Sequence, residues 1–249
     1  MSASVTVPKM ETIGVLGGMG PQATMDFEAR IHRVAQQLVP QFVNRGYPQM
    51  VVVYHREPPM ELAEDGSVKE PLIPHPKLLE LAKSMGPLVD FIVIPCHTAH
   101  FFVRELEEAS GRKVLSIVDV TIQEVQRRGF SRVGILAVGE TLKHRLYQDR
   151  LDELRIFWEI IPDSLISTLD EAIYKVMEGG HPAVLCDPML AAFEDLKKRG
   201  TVEAMILGCT ELPLAPLPLA IMQEFFHDLV LINPSQLLAE AAVRYALEP

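Results

Sequence analysis

Two cysteines carry the chemistry this sequence can offer. Cys96 lies in 92-IVIPCHTAHFF-102, where an apolar run ends in Pro95 and gives way to a thiol followed by His97, Thr98 and His100. Cys209 lies in 204-AMILGCTE-211, again just after an apolar run and followed by Thr210 and Glu211. A single cysteine reads as a small hydrophobe, since its type is among the most often buried. Two of them in matching settings suit proton transfer at an acidic carbon. One thiolate would remove the α-proton from one face of a small substrate, and the opposite thiol would return a proton to the other face. Reversing the reaction swaps the roles. Both thiols directly precede stretches read as helices, whose unpaired N–H groups favour an anion. Thiol pKa values fall in such places, so a thiolate near neutrality is expected. Cys186 has no counterpart and is read as structural.

The elements that must position these residues come as short apolar runs alternating with amphipathic stretches. Strands are expected at 12–17, 50–54, 91–95, 114–118, 133–138, 156–161, 204–208 and 229–233. Helices are expected at about 21–38, 76–85, 99–110, 120–129, 142–155, 167–179, 189–200 and 234–247, the first opening on Pro21. Near-continuous apolar strands separated by helices indicate parallel sheets covered on both faces, an α/β class. The landmarks then repeat in one order: Gly14 and Gly134 are 120 apart, Cys96 and Cys209 are 113 apart, and Asp119 and Asn233 are 114 apart. That spacing reads as a duplicated unit, with an N-terminal lobe over 1–120, part of the C-terminal helix packing on it, and a C-terminal lobe over 121–249. Ligands of open α/β sheets sit beyond the carboxyl ends of the strands. If the two pseudo-symmetric lobes face each other, the active site lies between them with one thiol on each side.

Around that pair the turn 17-GGMGPQAT-24 is expected to bring backbone N–H groups of Gly18, Met19 and Gly20 to a substrate carboxylate, since glycine lets a ligand approach closely. Thr98 and Thr210 supply hydroxyl donors. Glu211 either orients backbone or substrate amine or favours the dipole at a helix start. The proline-rich stretch 55–76 is long for a connection and reads as a lid. The formal net charge is −10, with Lys and Arg scattered, so neither nucleic acid nor an anionic membrane is an expected partner. Three dispersed cysteines without a C-x-x-C pair, and no recognisable signal peptide or membrane span, fit a reduced cytoplasmic protein without metal.

The motifs 14-GVLGGMGPQAT-24, 95-PCHTAHFF-102 and 208-GCTEL-212 resemble the aspartate/glutamate racemase family, and 209-CTE-211 its aspartate branch. The resemblance implies two Rossmann-like lobes and a cofactor-independent amino-acid racemase, acting on aspartate or glutamate with Cys96 and Cys209 as bases. It also implies a homodimer. Three features depart from the family pattern. His97 stands where Cys-Asn-Thr has asparagine, which makes it a candidate contact to substrate. The usual Pro-Asp-Arg element is absent from 54-YHREPPMELAED-65, leaving Arg56 and His55 as candidate carboxylate clamps. No lysine occurs at 180-GHPAV-184, where the aspartate branch has one. A two-cysteine isomerase or decarboxylase of another carboxylic acid is the alternative from within the superfamily. A nucleotide-binding domain lacks the full G-x-G-x-x-G spacing, and a non-catalytic descendant would be expected to have lost one of the cysteines.

Overall fold

The computed structural model describes residues 8–41, 43–200, 202–217 and 229–248. Among them are eight strands in two parallel four-stranded sheets with the same internal order. The first sheet runs β2-β1-β3-β4, from β1 (Ile13–Gly17), β2 (Met50–Tyr54), β3 (Phe91–Val93) and β4 (Val114–Leu115); the second runs β6-β5-β7-β8, from β5 (Arg132–Leu136), β6 (Phe157–Ile160), β7 (Ala204–Leu207) and β8 (Val230–Ile232). Central strands β1, β3 and β7 are buried along their whole length, which is why their sequences are apolar without alternation.

The duplication is exact in register at the residues that matter. Gly14 of β1 pairs with Ile92 of β3, and Gly134 of β5 pairs with Met205 of β7. Cys96 and Cys209 each lie four residues beyond those partners. Both glycines serve helix-on-sheet packing. A Cβ on Gly14 would lie 2.8 Å from Met85 Sδ, on α2 (Pro76–Met85), and one on Gly134 would lie 3.0 Å from Leu196 Cδ1, on α8 (Cys186–Arg199).

The chain divides into two compact units. One gathers residues through Pro95, Phe101–Ile117 and the segment from Ser235; the other gathers Cys96–His100 and Val118–Pro234. In the first unit α1 (Pro21–Leu38) buries Ala23, Phe27, Ile31, Val34 and Ala35, a stripe at helical spacing. The C-terminal helix Pro234–Leu247 joins this unit through a bond from Arg30 Nη1 to Gln236 Oε1 (3.1 Å) and through the ring of Tyr245 against Phe91, 4.7 Å between centroids. In the second unit, α7 (Asp163–Met177) and α8 bury Leu169, Ala172, Ile173 and Val176 against Met189, Ala192, Phe193 and Leu196. Cys209 belongs to the same cluster.

Among the expected elements that differ, three have clear physical reasons. The strand expected at 114–118 stops at Leu115, and α4 (Ile117–Arg128) begins two residues later, so Asp119 sits in its first turn. The strand expected at 91–95 ends at Val93, short of Pro95, which has no N–H to offer a ladder. The helix expected at 142–155 is broken into α5 (Gly139–Lys143) and α6 (Gln148–Glu153). Arg145 at the break takes a left-handed φ of 55°, Gln148 Nε2 donates at 2.9 Å to the carbonyl of Leu142, which also accepts the Arg145 N–H, and Tyr147 turns fully inward. The stretch 55–76 doubles back on itself: Glu61 N donates to Ile73 O and His75 N to Pro59 O, both at 2.9 Å.

Candidate active site

Of the residues singled out by sequence, Cys96, His97, Thr98, Cys209, Thr210 and Glu211 fall in the second unit, while Gly18, Met19, Gly20 and Arg56 fall in the first. Each group is built differently. The glycine turn is fixed from within. Gly18 has φ +93°, and a Cβ there would lie 2.4 Å from the carbonyl oxygen of His55. Its N–H donates to Thr24 Oγ1 at 2.8 Å, and that hydroxyl donates on to Gly20 O at 2.9 Å. The amide of Gly18 is therefore already used inside the turn. Met19 is buried, and Gly20 caps α1 without a side chain. Arg56 is exposed, whereas His55 beside it is buried, its Nε2 3.2 Å from Pro58 O and its ring 5.1 Å from that of His75.

The thiol group is more telling. Cys96 and Cys209 are both buried, at 5% and 7% exposure. Cys96 Sγ lies 3.5 Å from the hydroxyl of half-buried Thr98, and its carbonyl is 2.7 Å from Nδ1 of buried His100. Cys209 Sγ donates to Glu211 Oε2 at 3.0 Å, and Thr210 Oγ1 donates to the same oxygen at 3.2 Å. The Thr210 hydroxyl proton is thus directed at Glu211.

Burial pushes the Cys96 thiol up; the Thr98 hydroxyl and the N–H groups of Ala99 and Thr98 pull it back, while Glu211 adds to the rise. Burial pushes Cys209 well above the ordinary thiol range, followed by the charge and hydrogen bond of Glu211, and the charge of Cys96 also raises it. The expected lowering at helix starts is present as a contribution from backbone N–H groups, but desolvation of the thiolate outweighs it. The charge of Cys96 reaches Cys209, and Glu211 acts on both.

Sequence reading missed Tyr147. Its ring lies 5.7 Å from that of His97, tilted by 51°, and its Cε2 lies 3.5 Å from where a Cβ on Gly208 would stand. It therefore reaches from the residue after Cys96 to the residue before Cys209. Tyr174 of α7 feels the charge of Cys209, and Asp170 lies one turn before it on the same helix. Asp170 accepts the N–H of Gly139 at 3.1 Å, and Tyr174 is raised by burial and then by Asp170, Cys209 and Glu140. Cys186 is part-exposed at the start of α8. Among the described residues no group of His, Cys, Asp and Glu could hold a metal ion, and no helix is long and apolar enough to cross a membrane.

An α/β fold of two parallel four-stranded sheets, with paired thiols after equivalent strands, defines a class that comparison with known proteins then identifies. The Asp/Glu/hydantoin racemase family model matches residues 16–242. The broad specificity amino-acid racemase RacX of Bacillus subtilis (strain 168) is 25% identical over 242 residues, covering 93% of this chain and 96% of that protein. The aspartate racemase of Picrophilus torridus superposes with a TM-score of 0.72 at 20% identity, over 95% of this chain and 94% of that one. An aspartate racemase homologue from Pyrococcus horikoshii OT3 does so with a TM-score of 0.70 at 19% identity, over 96% and 100%. At those identities the structures speak to the fold alone. The chain belongs to the Asp/Glu/hydantoin racemase family. By family it is an isomerase, an amino-acid racemase.

Proposed function

We propose that this protein racemises an α-amino acid without a cofactor, with Cys96 and Cys209 as opposed acid and base. The observation that carries this reading is the pair itself. Two buried thiols, four residues past equivalent register positions in two sheets of one order, belong to a single compact unit, and the charge of Cys96 raises Cys209.

In one direction the Cys96 thiolate takes the α-proton. The Cα–H bond breaks, its electron pair stays on the substrate as a carbanion delocalised into the carboxylate, and an S–H bond forms. Cys209 then gives its proton to the opposite face of that carbon and is left as the thiolate. The opposite direction starts with Cys96 as the thiol and Cys209 as the thiolate, its proton having moved along the 3.0 Å bond to Glu211; Cys209 then takes the α-proton and Cys96 gives its own to the other face. A low-dielectric setting raises the cost of each thiolate in the resting state and strengthens every contact made to the carbanion. The motif 209-CTE-211 points to the aspartate branch of the family, and the broad specificity of the Bacillus subtilis relative supports a range of substrates beyond aspartate. The reading includes a cytoplasmic homodimer, with Thr98 and Thr210 beside the thiols contributing to substrate binding.

The test is proton NMR of L- and D-amino acids with the enzyme in D2O and no added cofactor, followed by chiral analysis. The α-proton signal should disappear as the antipode accumulates. Cys96→Ala and Cys209→Ala should each stop inversion, and full activity in either variant would rule out the two-base mechanism.

A further inference from the structure

His97 is 4% exposed, and neither of its ring nitrogens has a hydrogen-bond partner among the described residues. Buried polar atoms are almost always paired, so an orphaned pair of nitrogens beside a reacting thiol calls for an explanation. The ring is not loose. Tyr147, itself fully buried, holds one side of it and braces against Gly208, next to Cys209. His97 is thus fixed at the Cys96 end of a bridge between the two thiols, with both polar atoms uncommitted.

We infer that His97 is the specificity-determining residue of this enzyme, and that it selects an amino acid whose side chain is uncharged and hydrogen-bonding, a hydroxyl or carboxamide, over one with a second carboxylate. The inference rests on the racemase reading above, and it replaces aspartate with a narrower class drawn from the wider range. Burial, with a smaller effect of His100, holds the His97 pKa down to about 3, so the ring is neutral wherever the enzyme works. A neutral imidazole offers one donor and one acceptor. A hydroxyl or carboxamide matches both. A carboxylate is acceptor-only: it meets the donor and confronts the acceptor nitrogen. It would also approach the charge that acts on both thiols, the carboxylate of Glu211, which is of like sign. Among the described residues no lysine or arginine is buried to offset that repulsion.

The experiment is a kcat/KM panel by α-proton exchange, comparing serine, homoserine, asparagine and glutamine with aspartate, glutamate, lysine and alanine. The best hydroxyl or carboxamide substrate should exceed aspartate by at least about 100-fold, since sites built around a hydrogen bond reject partners that cannot make it. His97→Phe keeps a ring beside Tyr147 and removes both polar nitrogens; it should lower the best kcat/KM by about 10- to 100-fold and flatten the panel. His97→Gln keeps a donor and an acceptor and should preserve the ranking, which a merely structural role for His97 would not require. Aspartate, glutamate or lysine leading the wild-type panel overturns the inference while leaving the racemase intact. A ranking unchanged in folded His97→Phe also overturns it. Silence across the whole panel, from folded protein with reduced thiols, overturns the racemase reading and the inference with it.

Discussion

Glu211→Gln separates the electrostatic account of Cys209 from a purely steric one. The Cys209 thiol donates to Glu211 at 3.0 Å inside a buried cluster, and the carboxylate raises it through both charge and hydrogen bond. Unit charges about 4 Å apart at an effective dielectric of about 20 interact by about 4 kcal/mol. At about 1.4 kcal/mol per factor of ten, an interaction of that size is worth about 1,000-fold in the ionisation equilibrium, so removing the charge lowers the thiol pKa. The thiolate fraction at neutral pH then rises by about 1,000-fold, while its nucleophilicity falls with a Brønsted slope of about 0.5, leaving alkylation about 30-fold faster. The assay is the rate of iodoacetamide reaction at pH 7, with Cys96 and Cys186 replaced by serine so that only Cys209 reports. In the enzyme with all three cysteines the same substitution should slow racemisation by about 100-fold or more, because the proton acceptor for Cys209 is gone. A thiol that becomes more reactive in an enzyme that becomes less active is hard to mistake for misfolding. An alkylation rate that stays level or falls in folded Glu211→Gln would refute the reasoning.

His97 makes stability depend on pH: the unfolded chain binds a proton below about pH 6.5 that the folded ring refuses until about pH 3. Stability contributed by the neutral ring is therefore lost as pH falls through that window, by up to about 1.4 kcal/mol per unit, and His97→Gln should remove that slope from a pH series of urea midpoints. Gly18→Ala forces a left-handed φ and a backbone clash with His55, so it should lower stability by more than the about 1–3 kcal/mol of overpacking expected for Gly14→Ala, where the nearest atom is Sδ of the flexible Met85 side chain; thermal denaturation of both variants checks the order. Phe193→Ala, in the core shared with Cys209, should cost about 3–5 kcal/mol in a urea titration.

What could be read from the chain and what could not divide along physical lines. Helices α1, α2, α7 and α8 announce themselves through stripes at helical spacing, and β1, β3 and β7 through unbroken apolar runs, because local pattern and burial agree there. The segment 142–155 carries an equally helical pattern, yet it breaks, since the burial of Tyr147 and the bond from Gln148 to Leu142 are tertiary events without a local signature. Tyr147 was invisible for that reason. The thiols were placed correctly on their strand ends, but the direction of their pKa shift was misread. Backbone N–H groups at a helix start are a local property; desolvation is not. Glu211 was open to two readings, a helix-dipole residue or an orienting one, and only the geometry of its Oε2 joins it to both Cys209 and Thr210.

The duplication has one further consequence, because the copies have diverged around the sulfur atoms. Cys96 is surrounded by donors, the Thr98 hydroxyl and two N–H groups; Cys209 faces a carboxylate. Cys96 therefore ionises first as pH rises, and Cys209 keeps its proton longest. In the proposed reaction one enantiomer meets a ready base and the other a base that must first hand its proton to Glu211. Enantiomers have equal free energy, so kcat/KM must nevertheless be equal for the two directions. The difference between the sulfurs can appear only in kcat and KM separately, rising or falling together. Glu211→Gln should then change kcat more for the enantiomer whose α-proton goes to Cys209, with KM following it and the ratio of the two kcat/KM values held at unity. Equal changes in both directions would mean that Glu211 serves the site as a whole and is not the partner of one thiol.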